Sequence, residues 1–435
     1  MDIADNGATM LGWAHDLWPM PRSLTGDGVR QTIRYLSDLL PGLVAHEVPS
    51  GTPAGDWTVP AEWRVRDAYI TAPDGRRIAQ WRVNPLHLVG YSQPVSERMD
   101  LDTLQGHLHS LPDQPTAIPY VTSYYTPRWG FCLPHAERVQ LRPGEYRAVI
   151  DAEFRAGSLT YADCVIPGRS DEEILFSTYI CHSAMANNEL SGIVVQTALA
   201  RWLHARGTPW YTYRFVYAPE TIGSLIYLER HREHLLTHVR AGWVLSCVGD
   251  ERDYSLVPSR RPGNLGERLL TRSLAGLGRP LTRYTWRERG SDERQWCAPR
   301  VDLPMCTFSR SRFGTFPEYH TSLDDFTVVT DTGLMGSLTV MRECIRLLEE
   351  HPRYLSTTIG EPQLGRRGLY PTLSDHGGNR PMSGALSSAR ELLLVLSYCD
   401  GDADAAEIAE LVGRQPTDVA DDLATLERAG LIRRA

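Results

Sequence analysis

The stretch Thr178–Ile193, TYICHSAMANNELSGI, decides the fold class of this 435-residue chain. It completes the apolar run EILFSTYI, which is typical of a buried β-strand, and a helix is predicted to begin at Ser191. His182, Asn188 and Glu189 stand between the strand and the helix. Polar groups concentrated at the end of a buried strand predict a functional site.

The alternation of strand and helix continues from residue 172 to residue 350. YTYRFVYA is followed by a helix from Thr221, and AGWVLSCVGD comes after that helix. Continuous apolar strands between helices predict a mostly parallel sheet covered on both faces. Ligands bind such sheets beyond the carboxyl ends of the strands, and His182, Glu220 and Asp250 each stand just past such an end.

The composition excludes several classes of protein. The chain is 42% hydrophobic and 23% charged, which is typical of a globular protein with a large core. It has no lysine, so all 45 basic residues are arginine, and Schiff-base, pyridoxal-phosphate and P-loop kinase chemistry is excluded. No apolar run reaches membrane-spanning length and MDIADNGATM does not resemble a signal peptide, so we expect a cytoplasmic protein without membrane contact.

The sequence pattern predicts four regions. Residues 1–49 and 166–360 form one discontinuous α/β domain, and residues 50–165, with alternating stretches such as WRVRDAYITAPDGRRIAQWRV, form an inserted β-rich domain. Residues 361–384 are rich in Gly, Pro and Ser and predict a linker. Residues 385–435 give three short helical patterns and predict a winged-helix domain.

Imidazole and carboxylate groups in this arrangement suit zinc. His182, His320 and the carboxylates near them would hold the ion, and an open position would hold the reacting water. A separate carboxylate must then accept the proton of that water. Each residue also has an ordinary interpretation, since Glu220 could cap the following helix and Asp250 could be a turn residue. The polar stretch GSDERQWCAP, 290–299, predicts either a substrate loop or a salt-bridged turn.

Five stretches, CHSAMANNELSG, PETIGS, CVGD, GSDERQ and YHTSLDD, resemble in this order the zinc aminopeptidase and glutaminyl cyclase superfamily. The chain is most similar to an aminopeptidase-like family with an inserted β domain and a C-terminal winged helix. The resemblance implies a phosphorylase/hydrolase-like α/β sandwich with a mixed sheet. It also implies that His182 is the first metal histidine, that His320 is the last, and that Glu220 is the general base.

The chain departs from that superfamily at three metal-ligand positions. Asn188 stands where the resemblance places a bridging aspartate, Thr221 replaces a second glutamate, and Ser246 falls at the aspartate of the third strand. Fewer anionic ligands disfavour two dications. We therefore expect one zinc ion per chain, held by His182, His320 and a carboxylate from Glu189 or Asp250, with Asn188 as the alternative ligand at its position.

The predicted substrate contacts lie in two loops. Asp292, Glu293 and Arg294 come from GSDERQ, and Tyr319 precedes the last histidine. The aromatic cluster Tyr124, Tyr125 and Trp129 of the insert is predicted to form a wall of the cleft.

Three hypotheses of function follow. The first is a zinc-dependent hydrolase that cleaves a peptide or a small amide, with Glu220 activating water. The second is an acyl-transfer or tailoring enzyme of a biosynthetic pathway, and the third is an inactive ligand-binding regulator that binds DNA. Residues 385–435 carry ten acidic residues and five arginines, net −5, so nucleic acid binding is not expected despite the winged helix. A structural or dimerisation role, and hence a homo-oligomer, is expected instead.

Overall fold

The computed structural model describes residues 6–370 and 384–435, without the side chains of residues 384–387. The chain forms two compact units, Met1–Cys344 and Ile345–Ala435. Residues 371–383, most of the predicted linker at 361–384, lie outside the described residues.

The strands of the described residues have the following bounds: β1 Val44–Pro49, β2 Pro53–Ala54, β3 Trp57–Thr58, β4 Glu62–Thr71, β5 Arg77–Ile78, β6 Val95–Asp100, β7 Leu108–His109, β8 Phe131–Cys132, β9 Glu145–Arg155, β10 Ser158–Ile166, β11 Glu173–Tyr179, β12 Thr212–Ala218, β13 Val239–Leu245, β14 Ser255–Val257, β15 Thr282–Arg283, β16 Met305–Ser309, β17 Arg353–Ser356, β18 Asp400–Asp404 and β19 Ile432–Arg434.

The helices have the following bounds: α1 Gly7–Leu17, α2 Asp27–Leu39, α3 Leu101–Gln105, α4 His135–Arg138, α5 Ser191–His204, α6 Ile222–His238, α7 Leu265–Gly276, α8 Glu293–Trp296, α9 Asp331–Glu350, α10 Gly384–Ser397, α11 Ala405–Val412 and α12 Pro416–Arg428. A π-helical turn, Ala186–Leu190, directly precedes α5. Among the described residues, no helix is both long and apolar enough to cross a membrane.

An eight-stranded mixed sheet is the centre of the larger unit, in the order β1-β10-β12-β11-β13-β16-β14-β15. Its four middle strands, β12, β11, β13 and β16, are parallel. The strands β1 and β10 pair antiparallel with their neighbours, whereas β14 is antiparallel to β16 and parallel to β15. The predicted fold class, a mixed α/β sandwich with a C-terminal winged helix, is confirmed.

Both faces of the parallel strands are buried, as their continuous apolar runs predict. On one face Phe176 stacks between Phe215 and Trp243, with ring centroids 5.1 Å away in each case. Helix α5 covers this face, where the Thr197 hydroxyl bonds that of Tyr217 at 3.1 Å. On the opposite face Leu175 belongs to the apolar cluster that includes side chains of α6.

The inserted region has its own four-stranded antiparallel sheet, in the order β5-β4-β9-β6. Buried and exposed residues alternate along β9, as they do in a sheet with one solvated face. By contrast β10 is buried along most of its length and joins the central sheet between β1 and β12. The strand at 158–166, which the sequence pattern placed in the insert up to residue 165, is therefore part of the α/β sheet.

The C-terminal unit combines α10, α11 and α12 with a small sheet in the order β18-β17-β19. Its core includes Val395, Leu423 and Leu426. Because β17 is the central strand of this sheet, the unit begins before residue 385, the predicted start of the winged-helix domain.

Candidate active site

The candidate site lies at the carboxyl edge of the parallel strands. His182 follows β11, Glu220 follows β12 and Asp250 follows β13. The π-helical turn after His182 is held by Asp324, whose carboxylate accepts the backbone N–H groups of Asn187 at 2.6 Å and Asn188 at 2.9 Å. Single π turns occur often at functional sites.

His182 is buried and oriented by Glu189. The Nδ1 atom of His182 lies 2.9 Å from Oε2 of Glu189, which also accepts the backbone N–H groups of Cys181 and His182. The other oxygen of Glu189 accepts Nε of Arg22 at 2.7 Å, and both side chains of this ion pair are fully buried. A carboxylate on one ring nitrogen fixes the orientation of the ring and leaves Nε2 for other chemistry.

Glu220 faces that free nitrogen. Its Oε2 lies 3.8 Å from Nε2 of His182, and the side chain is 24% exposed. Burial raises the pKa of Glu220, and the positive charges of His182 and Arg294 offset only part of that effect. Burial opposes protonation of His182, but the Cys181 sulfur and Glu189 outweigh it and raise the pKa of the imidazole well above its ordinary value.

His320 lies beside His182, with ring centroids 5.6 Å apart. Burial and the charge of His182 lower the pKa of His320 to about 3, so the ring is neutral near pH 7. Tyr319 stacks on one side of the His320 ring at 3.9 Å, and Tyr120 lies 5.0 Å from it and 5.2 Å from the His182 ring.

The inserted region holds the loop that carries His320. The backbone N–H of Tyr120 donates to the carbonyl of His320 at 2.9 Å. Ile118 and Ser322 are joined by two hydrogen bonds of 2.9 Å, one of them through the Ser322 hydroxyl. The insert therefore supplies the ring of Tyr120 to the site, and its backbone at residues 118–120 is hydrogen-bonded to the loop that carries His320.

Asn188 belongs to a neutral buried cluster. The Tyr179 hydroxyl donates to Oδ1 of Asn188 at 2.6 Å and shares a second hydrogen bond of 2.6 Å with the Ser246 hydroxyl. Burial raises the pKa of Tyr179 well above its ordinary value, so this hydroxyl stays protonated. The metal-ligand role of Asn188 stays a prediction, and the cluster offers a cation no charge.

Asp250 points to a neighbouring loop. Its carboxylate accepts Nδ2 of Asn187 at 2.9 Å, the backbone N–H of Arg252 at 2.9 Å, and both the N–H and the hydroxyl of Ser311 at 3.0 Å. These contacts match the alternative interpretation of Asp250 as a turn residue.

Of the predicted substrate loop, Arg294 and Asp292 come close to Glu220. The Nη2 atom of Arg294 lies 3.8 Å from Oε1 of Glu220, and Asp292 accepts the backbone N–H of Thr221 at 2.7 Å. Burial and the neighbouring Glu220 charge raise the pKa of Asp292 to about 7. Glu293 is fully buried and accepts the N–H groups of Gly290 and Ser291 and the Thr307 hydroxyl, so it shapes the loop.

The predicted aromatic wall is brought to the site only in part. Tyr124 bonds the hydroxyl of Tyr120 at 2.8 Å. Tyr125 is 47% exposed and packs on Trp57, and Trp129 stacks on His107 at 3.6 Å within the insert.

Backbone strain concentrates around these side chains. Of eight non-glycine residues with positive φ among the described residues, four border the site: Ala184, Thr221, Cys247 and His320. Positive φ is costly for a β-branched residue such as Thr221, at 65°, and such strain is retained chiefly where function requires it.

The chain matches, over residues 11–351, the family described as a domain of unknown function (DUF4910). The chain belongs to this family. Residues 353–434 match a second family, described as a winged helix-turn-helix. A Clostridium acetobutylicum protein, described provisionally as a polysaccharide biosynthesis protein with an aminopeptidase-like domain, is 36% identical over 413 residues, which are 95% of this chain and 93% of that protein.

Two solved structures extend the comparison. A crystal structure from Clostridium acetobutylicum, named provisionally as a peptidase, is 34% identical with a TM-score of 0.81 and covers 99% of this chain and 96% of its own. The zinc aminopeptidase BSAP of Bacillus subtilis has a TM-score of 0.59 at 12% identity and covers 80% of this chain and 95% of its own. The resemblance to zinc aminopeptidases is confirmed for the fold.

The donor set does not fit two zinc ions. The three positions where the resemblance places carboxylates are occupied by the neutral residues Asn188, Thr221 and Ser246. The side chains of Asn188 and Ser246 are already hydrogen-bonded to the Tyr179 hydroxyl. Both oxygens of Glu189 are engaged, one of them by the Arg22 cation. One zinc ion fits better, because the imidazoles of His182 and His320 lie side by side and could supply nitrogen donors to a single ion.

Three residues that define this geometry, Arg22, Tyr120 and Tyr179, were not among those predicted from the sequence. Tyr179 was visible as the last residue of a buried strand, where a polar hydroxyl needs a partner. Arg22 and Tyr120 carry no local signal, because their partners are far away in the sequence.

Proposed function

We propose that the chain is a zinc-dependent, aminopeptidase-like hydrolase that acts on a peptide or an amide-containing small molecule, with one zinc ion per chain. The observation that carries the proposal is the group formed by His182, Glu220 and His320 at the carboxyl edge of the sheet. Two imidazoles and the Glu220 carboxylate converge there, with Oε2 of Glu220 3.8 Å from Nε2 of His182.

In this proposal His182 and His320 hold the ion through their imidazoles. When bound, zinc would polarise the amide carbonyl and lower the pKa of a water molecule. Glu189 would orient His182 instead of binding the metal, and Asp250 would order the adjacent loop. The sequence led us to expect a third zinc ligand from Glu189 or Asp250. The proposal assigns neither of them to the metal, because the oxygens of both carboxylates already accept several hydrogen bonds.

Glu220 acts as the general base. A carboxylate whose pKa is raised towards neutrality accepts the proton of water and can return it to the departing amine. Asp292 positions Thr221, the residue next to this base, through a hydrogen bond to its backbone. Arg294 and Tyr319 border the same space and would contact the substrate.

A biosynthetic substrate suits the chain better than protein digestion. The Clostridium acetobutylicum relative is described provisionally as a polysaccharide biosynthesis protein, which supports a small molecule that carries an amide. We also propose a cytoplasmic location and a C-terminal unit that serves homo-oligomer formation.

An acyl-transfer reaction is the second candidate. The neutral cluster of Tyr179, Asn188 and Ser246 favours it, because a site with less anionic charge departs from the hydrolytic two-metal arrangement. Transfer would move the acyl group from the nitrogen of the amide to a second amine or a hydroxyl, and Glu220 would pass the proton of that nucleophile to the amine that leaves as the C–N bond breaks.

The test combines metal content with activity. Elemental analysis after dialysis should give about one zinc ion per chain, lost in His182→Ala, and Glu220→Gln should keep the zinc but lose about 10²- to 10⁴-fold in turnover of an amino-acid anilide panel. Glu229→Gln, the same change within α6, is the control. Wild-type protein without zinc after metal is added back, or an active Glu220→Gln variant, would refute the proposal.

A further inference from the structure

A cavity of about 600 Å³ lies among α1, α9, the end of α7 and the loops that follow β13 and β16. Its volume is within the roughly 300–1,000 Å³ of small-molecule sites. Part of its lining is apolar and includes Leu277, Met335 and Val340. Because none of its lining residues is a proposed zinc ligand, the general base or a proposed substrate contact, the cavity is separate from the candidate active site.

Two buried side chains of the lining carry hydrogen-bond donors without acceptors. Tyr254 is 7% exposed, and its hydroxyl forms no hydrogen bond among the described residues. Arg310 is 5% exposed and donates from Nε to the carbonyl of Asp253 and from Nη1 to that of Gly333, but Nη2 has no partner in the described part of the chain. Neither unpartnered atom belongs to the inaccessible ones, so both are open to a ligand.

Gly336 leaves the space that these two side chains need. A β-carbon at this position would lie 2.8 Å from Nη1 of Arg310 and 2.8 Å from the hydroxyl oxygen of Tyr254. Such contacts are too short, so any other residue would displace both groups. Because Gly336 itself lines the cavity, the guanidinium and the hydroxyl meet at one place on its wall.

The positive charge of Arg310 has no ion-pair partner, since its two acceptors are neutral carbonyl groups. Burial lowers the pKa of Arg310, and repulsion from Arg279 acts in the same direction. The carboxylates of Asp250 and Glu251 offset only part of this effect. Arg279 is exposed, lines the same cavity and forms no ion pair among the described residues. A carboxylate bound beside the two arginines would compensate their charge.

Two carboxylates also line the cavity. Oε1 of Glu251 accepts the hydroxyl of Thr330 at 2.6 Å, and Oδ1 of Asp331 accepts the backbone N–H of Thr332 at 2.7 Å. The other oxygen of each carboxylate accepts no hydrogen bond within the described residues and can take a cationic donor. A ligand with a single charge would therefore be repelled by one pair of lining residues, whereas a zwitterion complements both pairs.

The geometry points to a binding site for a free α-amino acid with an apolar side chain. Its carboxylate would bind Arg310, Arg279 and the Tyr254 hydroxyl. Its ammonium group would bind Glu251 and Asp331, and its side chain would contact the apolar part of the lining. The inference goes beyond the proposed hydrolase function and does not rest on it, because neither the metal nor the general base takes part.

The experiment is isothermal titration calorimetry of the full-length chain with three ligands. These are L-leucine, 4-methylpentanoate, which lacks the ammonium group, and L-leucinamide, which lacks the carboxylate. L-leucine should bind saturably, and each analogue should bind at least about tenfold more weakly, because it loses hydrogen bonds between charged groups.

Variants locate the bound amino acid. Arg279→Gln should weaken binding of L-leucine but not of L-leucinamide, and Glu251→Gln should weaken binding of L-leucine but not of 4-methylpentanoate. Tyr254→Phe should weaken binding of L-leucine by about two- to tenfold without lowering the free energy of unfolding, because the lost hydroxyl has no partner in the free protein. Arg34→Gln and Glu97→Gln, at exposed positions outside the cavity, are the matched controls and should bind normally.

Three results would overturn the inference. The first is absence of saturable L-leucine binding to wild-type protein at millimolar concentrations, and the second is equal affinity for L-leucine and either analogue. The third is binding that His182→Ala abolishes and Arg279→Gln leaves unchanged, which would place L-leucine at the candidate active site. L-leucine binding that His182→Ala retains supports the inference even if the hydrolase proposal fails.

Discussion

Replacing Arg22 by methionine removes the cation that stabilises Glu189. The Arg22 guanidinium donates three hydrogen bonds: one of 2.7 Å to Glu189, one of 2.9 Å to the carbonyl of His182 and one of 2.7 Å to the carbonyl of Leu17. Both side chains of the Arg22–Glu189 ion pair are fully buried. Methionine keeps much of the apolar volume but leaves the buried Glu189 carboxylate without the Arg22 cation and with only the His182 imidazole, at 2.9 Å, beside it. Breaking a buried pair in this way costs about 3–5 kcal/mol.

The assay is urea unfolding of the larger unit, followed by tryptophan fluorescence, in Arg22→Met and in a matched surface variant. Arg252→Met is that control, because Arg252 also forms a two-bond pair, with Glu318, but is 45% exposed. An exposed pair contributes about 0–1 kcal/mol. The two variants make the same chemical change, and we expect their unfolding free energies to differ by at least about 2 kcal/mol.

A loss below about 1 kcal/mol in Arg22→Met would refute the reasoning. It would mean that Glu189 does not depend on Arg22 for its charge balance. Glu189 would then be available as the metal ligand that the sequence predicted. A loss in the expected range, with zinc binding reduced but measurable, would support its role in orienting His182.

Three further predictions concern other parts of the chain. Tyr179→Phe removes the hydroxyl that joins Asn188 and Ser246, and it should lower the free energy of unfolding by about 1–3 kcal/mol. The control Tyr35→Phe should lower it less, because the hydrogen bond from the Tyr35 hydroxyl to Asp16 is exposed. Equal losses for the two variants in urea unfolding would contradict this prediction. Burial raises the pKa of Asp324 from 3.8 to about 7, so the folded chain binds this proton more tightly than the unfolded chain does. Its contribution to stability should fall as pH rises from about 4 to about 7, and Asp324→Asn should flatten that slope in unfolding measured at several pH values; an unchanged slope would count against it. The C-terminal unit should not bind duplex DNA in fluorescence anisotropy even at low salt, since residues 385–435 carry net −5, and tight salt-dependent binding would overturn this.

The fold was predictable because its signals are local. Apolar runs mark β11, β12 and β13, and polar residues directly after each run place His182, Glu220 and Asp250 at one edge of the sheet. The helix predicted from Ser191 begins at that residue. Parallel strands that are buried on both faces leave this pattern in any sequence.

The finer geometry depends on contacts between distant parts of the chain. Glu189 was predicted as a ligand from its position near His182, but its partner Arg22 lies 167 residues earlier. The four-residue strand β17 pairs with strands that follow much later, so its place in the C-terminal unit left no local pattern. The catalytic and metal-binding roles of the site residues stay predictions.

The inserted region cannot be removed without affecting the candidate active site. The hydrogen bonds between Ile118 and Ser322, and between Tyr120 and His320, join it to the loop that carries the second imidazole. Excising the insert, or exchanging it with that of a relative, would therefore displace His320 as well as one wall of the cleft. Variation in the insert and in the histidine loop should be inherited together, and protein engineers should transplant the two segments as one unit.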